Sequence, residues 1–314
     1  MRPMFPYLQI ARPDHWIKNI FVLPGIIIAY FFYPESWHLT DIPHLVLGLL
    51  AVCLTASSNY VLNEVLDAER DRHHPVKKYR PVPSGQVNRG IALLEWIALG
   101  AIGISIGFAI SVPMGWSCVL LWVMGTLYNI PPVRLKDVPY ADVLSESINN
   151  PIRMAMGWYM TGLGSAPPAS ILLAYWMFGA FLMATKRFAE YRAIHDPGAA
   201  ARYRKSFAHY NEERLLVSII FYVSLFAMFA GVFITRYQIE VVLATPIVAY
   251  AMAYYLHLGY KENSPTQYPE RLYKAHKLVV LVTLAFICCG ILLLVDLPRF
   301  EHFLIPWHQP PAAR

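Results

Sequence analysis

Apolar stretches about as long as a bilayer is thick recur from one end of the chain to the other, and they restrict its fold more than any single motif does. A helix needs about 20 mostly apolar residues to cross the hydrocarbon core of a membrane. Nine stretches approach that length, near residues 19 to 34, 44 to 65, 91 to 112, 114 to 130, 139 to 164, 169 to 186, 214 to 235, 240 to 260 and 278 to 296. The seventh and ninth, in LLVSIIFYVSLFAMFAGVFIT and LVVLVTLAFICCGILLLV, hold no charge at all, whereas the fifth is unusually polar. Backbone polar groups in lipid must be satisfied within the spanning segment. The expected fold class is therefore an all-α integral membrane protein, a bundle of nine transmembrane helices. A composition of 57% hydrophobic and 15% charged residues, with a mean hydropathy of +0.41, excludes a soluble surface, disorder and a coiled coil. Cys53, Cys118, Cys288 and Cys289 all lie in apolar stretches without metal-ligand spacing, so they read as packing residues. The first span is too long for a secretory signal and lacks its small-residue cleavage pattern, so it belongs to the mature fold. No composition shift marks a second domain, and residues 1 to 314 are read as one.

A net charge of +6 raises the question of nucleic acid, but in a membrane protein basic loops first of all set orientation. With a cytoplasmic N-terminus, nine crossings leave residues 1 to 18, 66 to 90, 131 to 153, 186 to 214 and 261 to 277 on the cytoplasmic side, and these hold 23 of the 26 Lys and Arg. Only Arg236, Arg299 and Arg314 fall opposite. The reading is a multi-pass protein of the inner (cytoplasmic) membrane with a cytoplasmic N-terminus, an external C-terminus and no nucleic-acid partner. Its long polar loops, and with them any chemistry, face the cytoplasm.

The second span ends in NYVLNEVLDAERDRHHPVKKYRPVPSG. Asn59, Asn63, Asp67 and Asp71 are four residues apart, which stacks them along one slowly drifting helical face, with Glu64 near it. Two carboxylates one turn apart beneath an amide suit Mg²⁺, which takes oxygen ligands and shares its shell with substrate phosphates. Asn63, Asp67 and Asp71 are thus candidate metal ligands. Both carboxylates read as wet, so their loss is expected to remove activity and leave the protein folded. After Pro75, Lys77, Lys78 and Arg80 are placed to take phosphate oxygens. The plain alternative is a solvated helix end; the position at the mouth of an apolar span and the two in-register Asn favour the site.

In the fifth span, Asp142, Glu146, Asn149 and Arg153 follow spacings of four, three and four and share one helical face. Ionisable groups in a span are costly and normally face a bundle interior or wet cavity. Asp142 paired with Arg153 or a loop cation, merely to orient the helix, is the structural alternative. The loop KRFAEYRAIHDPGAAARYRKSFAHYNEERL carries Lys186, Arg187, Arg204 and Lys205, with Arg192 and Arg202 read as positive-inside anchors. His73, His74 and His195 are read as solvated or capping residues. Arg12, Lys18, Arg134, Lys136 and Arg153 form a second basic set that would suffice for a phosphate acceptor, which is already anionic and needs no strong base.

Asn63-x-x-x-Asp67-x-x-x-Asp71 resembles the first Asp-rich motif of the UbiA-type intramembrane prenyltransferase superfamily, over essentially the whole chain, with Asn63-Glu64 where the motif usually starts Asn-Asp. The resemblance implies a nine-helix bundle with a cytoplasm-facing cavity for a Mg²⁺-bound diphosphate donor. Asp142-x-x-x-Glu146 is similar in place to a second Asp-x-x-x-Asp of the aromatic prenyltransferases, and Tyr128, Arg134 and Lys136 resemble the Tyr and basic residues preceding it. ARPDHWIKN, HHPVKKYRPVPSG and KRFAE at 186 to 190 most resemble the branch containing decaprenyl-phosphate phosphoribosyltransferase. That branch implies phosphoribosyl pyrophosphate as donor, a polyprenyl phosphate as acceptor, and Lys186, Arg187 and Glu190 near the donor. Asp67, Asp71 and Asp142 are then expected to be catalytic, and the other polar residues named from these motifs and loops to bind substrate. Prenyl transfer from a prenyl diphosphate to an aromatic or lipid acceptor stays open. A transporter with Asp142 and Arg153 on its path is weighed against the lack of a repeated half or paired Gly/Pro-interrupted spans.

Overall fold

A computed structural model of the chain describes residues 5–36, 38, 42–73, 76–194, 196–267, 269–297 and 300. His74, Pro75, His195, Arg299 and Arg314 lie outside the described residues. Among those described, all regular structure is helical. In chain order the α-helices are α1 (Pro6–Ile10), α2 (Leu23–Phe32), α3 (Ile42–Asp71), α4 (Arg89–Ile110), α5 (Val112–Asn129) and α6 (Ala141–Ser147). They continue with α7 (Asn149–Tyr159), α8 (Ala169–Ile194), α9 (Pro197–Tyr203), α10 (Glu212–Tyr237), α11 (Thr245–Gly259) and α12 (His276–Leu294).

Among the described residues, seven helical stretches are long and apolar enough to cross a membrane: Pro6–Phe32, Ile42–Asp71, Arg89–Ile110, Ala169–Ile194, Glu212–Tyr237, Ile239–Gly259 and His276–Leu294. They coincide with seven of the nine expected spans. The fourth expected span is α5, of 18 residues. The fifth, expected as one run near 139 to 164, is instead divided into α6 and α7. Pro151 explains the break, because it offers no N–H to the Ser147 carbonyl and its ring crowds that group. The first crossing starts earlier than expected, as the 3₁₀ segment Pro13–Val22 leads straight into α2. At 30 residues α3 is about 45 Å long, roughly 15 Å more than a hydrocarbon core, and the surplus turns carry Asp67 and Asp71.

The chain forms two compact units, one of residues 1–167 with 196–210 and one of residues 168–195 with 211–314. In the first, Val22, Ala51, Val52, Cys118, Leu121, Ile152 and Met156 build the apolar core, which confirms Cys118 as a packing residue. The crossing of α2 and α7 depends on two glycines, since a Cβ at Gly25 would overlap the Met154 carbonyl and one at Gly157 the Val22 carbonyl. In the second unit α8 packs on α10, Phe181 meets Tyr255 with ring centroids 5.7 Å apart, and Phe188 meets Tyr260 at 4.8 Å.

Candidate functional site

The polar residues of α3 divide between two neighbours. Toward α5 and the loop after it, Asn59 donates to the Leu121 carbonyl (2.9 Å), Asn63 Nδ2 to Asn129 Oδ1 (2.7 Å), and Asp67 meets the loop cations. Toward the N-terminal segment, Cys53 Sγ accepts from Asn19 (3.2 Å), Ser57 from Trp16 (2.9 Å), and Tyr60 packs edge-on against His15. Glu64 belongs to this second stripe. Its buried carboxylate accepts from Arg12 (3.2 Å) and from the Val82 N–H (3.2 Å), so it turns away from the Asp67 face it was expected to adjoin.

Asp67 is held by two residues of the loop after α5. Arg134 Nη2 donates to Oδ1 at 2.6 Å, and Lys136 Nζ lies 2.8 Å from both oxygens. Lys136 is only 6% exposed and also donates to Asn129 Oδ1 at 2.9 Å, so Asn129 ties Asn63 to the lysine. Burial pushes the Lys136 ammonium down to about 8, against the opposing pull of Asp67. Arg134 has a left-handed backbone, φ 32°, a conformation that costs a non-glycine residue about 1–2 kcal/mol. Charge-assisted bonds to Asp67 and to Asp137 (3.1 Å) offset that cost. One turn on, Asp71, buried where it was expected to be wet, takes Arg80 at 2.7 Å, with Lys77 at 4.0 Å. Burial also lowers Lys77, while the exposed Lys78 lies over the Tyr79 ring. Asp137 is itself 3.7 Å from Arg70 and 3.7 Å from the exposed Lys205.

Asn63, Asp67 and Asp71 thus share one helix end, as their spacing predicts, with cations from two loops on the carboxylates. No group of three or more His, Cys, Asp or Glu able to hold a metal occurs among the described residues. Two carboxylates and an amide are an incomplete shell, which fits an ion that keeps water and substrate phosphate ligands and does not fit a cage made of protein alone.

The polar face of α6 and α7 is shared among three partners. Asp142 is fully buried and accepts from Tyr210 Oη (2.6 Å) and Ser206 Oγ (3.2 Å), with Arg204 at 3.9 Å. Tyr210 Oη also accepts the Tyr140 N–H, so Asp142 anchors the segment after α9. Glu146 accepts from Tyr128 Oη (2.7 Å), and Asn149 donates to the Glu146 carbonyl. Arg153 Nε donates to Asn19 Oδ1 at 3.1 Å, not to Asp142. The expected five-cation acceptor set is also dispersed: Arg134 and Lys136 sit on Asp67, Arg12 on Glu64 and Arg153 on Asn19, while Lys18 is half-buried beside Asn19. In the second unit, Glu190 takes Arg187 at 3.0 Å and Lys186 at 3.9 Å, and Arg187 is buried. Asn19, Tyr60 and Asn129 escaped the sequence reading. Only Tyr60, four residues before Glu64 on α3, had a spacing that pointed to its role.

The decaprenyl-phosphate phosphoribosyltransferase of Mycolicibacterium smegmatis is 27% identical to this chain over 214 residues, 66% of the chain and 63% of that protein. Its namesake from Corynebacterium glutamicum is 28% identical over 209 residues, 65% of the chain and 59% of that protein. The chain therefore spans about three-fifths of the length of these curated relatives. A solved UbiA homolog from Archaeoglobus fulgidus, bound to DMAPP and Mg2+, shares the fold, with a TM-score of 0.67 at 19% identity over 91% of this chain and 99% of that one. The sequence profile described as the UbiA prenyltransferase family matches residues 20–277, from the N-terminal segment through the α3 cluster to the start of α12, and the chain belongs to that family.

Proposed function

We propose that the chain is a membrane transferase that moves 5-phosphoribosyl from phosphoribosyl pyrophosphate to a polyprenyl phosphate, with Mg²⁺ as its cofactor. The observation that carries this reading is the charge balance around the end of α3. Among the described residues, Arg70, Lys77, Arg80, Arg134, Lys136 and Lys205 gather within ion-pair distance of three carboxylates there, Asp67, Asp71 and Asp137. A donor with a 5-phosphate in addition to its diphosphate uses such a surplus of cations, whereas a prenyl diphosphate calls for fewer.

When bound, Mg²⁺ neutralises developing charge on the leaving diphosphate. Asp67 and Asp71, with the Asn63 amide, would hold the ion. Lys77, Arg80, Arg134 and Lys136 donate N–H bonds to the phosphate oxygens the ion leaves uncovered. An acceptor phosphate oxygen bonds to the anomeric carbon as the bond to diphosphate breaks, and the electron pair leaves with the diphosphate. No proton need be removed from an ionised acceptor. Asp142 acts as a positioning residue, setting Arg204 and the segment after α9. Lys186, Arg187 and Glu190, from a segment like the phosphoribosyltransferase branch, are assigned to the donor, as are Lys78 and Lys205. Tyr128, Glu146 and Asn149 line the substrate. The reading includes nine crossings, a cytoplasm-facing cavity and a cytoplasmic N-terminus, in keeping with the basic bias of the loops.

The purified protein is expected to release diphosphate from phosphoribosyl pyrophosphate only when both a divalent metal and polyprenyl phosphate are supplied. Release from prenyl diphosphates alone would move the assignment to prenyl transfer. No release from any donor would leave the transporter reading instead.

A further inference from the structure

We infer that Arg153, with Tyr60 beside it, seats the phosphate monoester of the lipid acceptor, a role that rests on the polyprenyl-phosphate reading above. Arg153 stands on α7 between the buried core residues Ile152 and Met154. The glycine-mediated crossing of α2 and α7 fixes its backbone. A cation on the polar face of a membrane span is costly and usually functional. Arg12, Arg80 and Arg134 each meet a carboxylate, but among the described residues none lies within ion-pair distance of Arg153. Its protein partner is the neutral Asn19, which is buried and fixed by its own bond to Cys53. Since Asn19 takes Nε, the two terminal nitrogens, the edge that grips phosphate in bidentate fashion, remain for a ligand.

Tyr60 supplies the second observation. Its hydroxyl lies within electrostatic range of Arg153 and Arg12, and also of the Glu146 and Asp14 carboxylates, and among the described residues it makes no hydrogen bond. A phenol and a guanidinium fork offer three donors, which suits the oxygens of a phosphate monoester. The location also suits an acceptor. Tyr60 is on the N-terminal-facing stripe of α3, seven residues and about 10 Å along the axis from Asp67, so the seat is distinct from the metal motif but on the same helix. On α2, Leu23 and Ile27 are exposed, apolar surface that a lipid tail requires and a free phosphate does not use.

The test is equilibrium binding of farnesyl phosphate to the detergent-solubilised full chain without donor or metal, with farnesol and inorganic phosphate as separate arms. The wild type should bind farnesyl phosphate about tenfold or more tighter than either fragment. Arg153→Gln should lose about tenfold or more of that affinity, Arg153→Lys less, and Tyr60→Phe several-fold, while binding of phosphoribosyl pyrophosphate with Mg²⁺ stays unchanged. Asp67→Asn should show the reverse pattern. Wild-type affinity for farnesyl phosphate in both Arg153→Gln and Tyr60→Phe would overturn the seat, as would an Arg153→Gln defect confined to the donor. If Arg153→Gln fails to fold, Tyr60→Phe decides. If the wild type itself ignores farnesyl phosphate, the polyprenyl-phosphate reading fails and the seat fails with it. Inorganic phosphate bound as tightly as farnesyl phosphate would replace the lipid by a free anion.

Discussion

Asp67→Ala is expected to lower turnover by about 10³-fold or more and also to destabilise the protein by roughly 2–3 kcal/mol. The first loss follows from the proposed role of Asp67 as a metal ligand. The second follows from the structure and differs from the expectation of a wet, dispensable helix end. Lys136 is buried against Asp67, and its other described partner is the neutral Asn129. Removing the carboxylate leaves that ammonium without a counter-charge, the costly way to break a buried pair. Asp67→Asn combined with Lys136→Met should therefore recover stability without recovering activity. Asp71→Ala should lose activity equally but cost only about 1 kcal/mol, because Arg80 and Lys77 are about a third exposed. Thermal melting and diphosphate release of the wild type and these three variants check both halves. A near-normal rate in both single variants would remove the metal motif from the account.

Asp142→Ala is expected to have the second largest effect, through position and not chemistry. The side chain is fully buried, and its loss removes one acceptor from each of the Tyr210 and Ser206 hydroxyls and a carboxylate near Arg204, at about 3 kcal/mol in total. The segment of residues 196–210 should then come loose. Limited trypsin digestion should cut after Arg202, Arg204 or Lys205 well before the wild type is cut there. Tyr210→Phe should give a weaker form of the same behaviour, near 1 kcal/mol, since one hydroxyl bond is removed. Unchanged digestion with abolished turnover in Asp142→Ala would instead make Asp142 a participant in the reaction.

What the sequence made legible was local. The apolar runs located the long helices to within a few residues, except that the first crossing begins at Pro6, α3 continues to Asp71 and α8 to Ile194. Fourfold spacing put Asn63, Asp67 and Asp71 together, and the short connection from Asp71 to Arg80 kept that pair within reach. The break between α6 and α7 was also written in the chain, at Pro151, but a long apolar count conceals a single proline. The remainder was not legible because it depends on how distant segments close. Lys136 is 69 residues from Asp67, Tyr210 is 68 from Asp142 and Asn19 is 134 from Arg153. Glu64 shows the same limit on a smaller scale. Its spacing places it near the acidic face, and only Arg12, arriving from the N-terminal segment on a left-handed backbone with φ 51°, draws it to the other side.

The central claim, transfer of phosphoribosyl through the Asp67 and Asp71 cluster, is tested most directly by following ribose-labelled phosphoribosyl pyrophosphate in a reaction with purified protein, Mg²⁺ and polyprenyl phosphate. Label should pass into the organic phase with the wild type and stay aqueous with Asp67→Asn or with the metal chelated. Lipid-linked product formed only when a prenyl diphosphate replaces the ribosyl donor would contradict the claim.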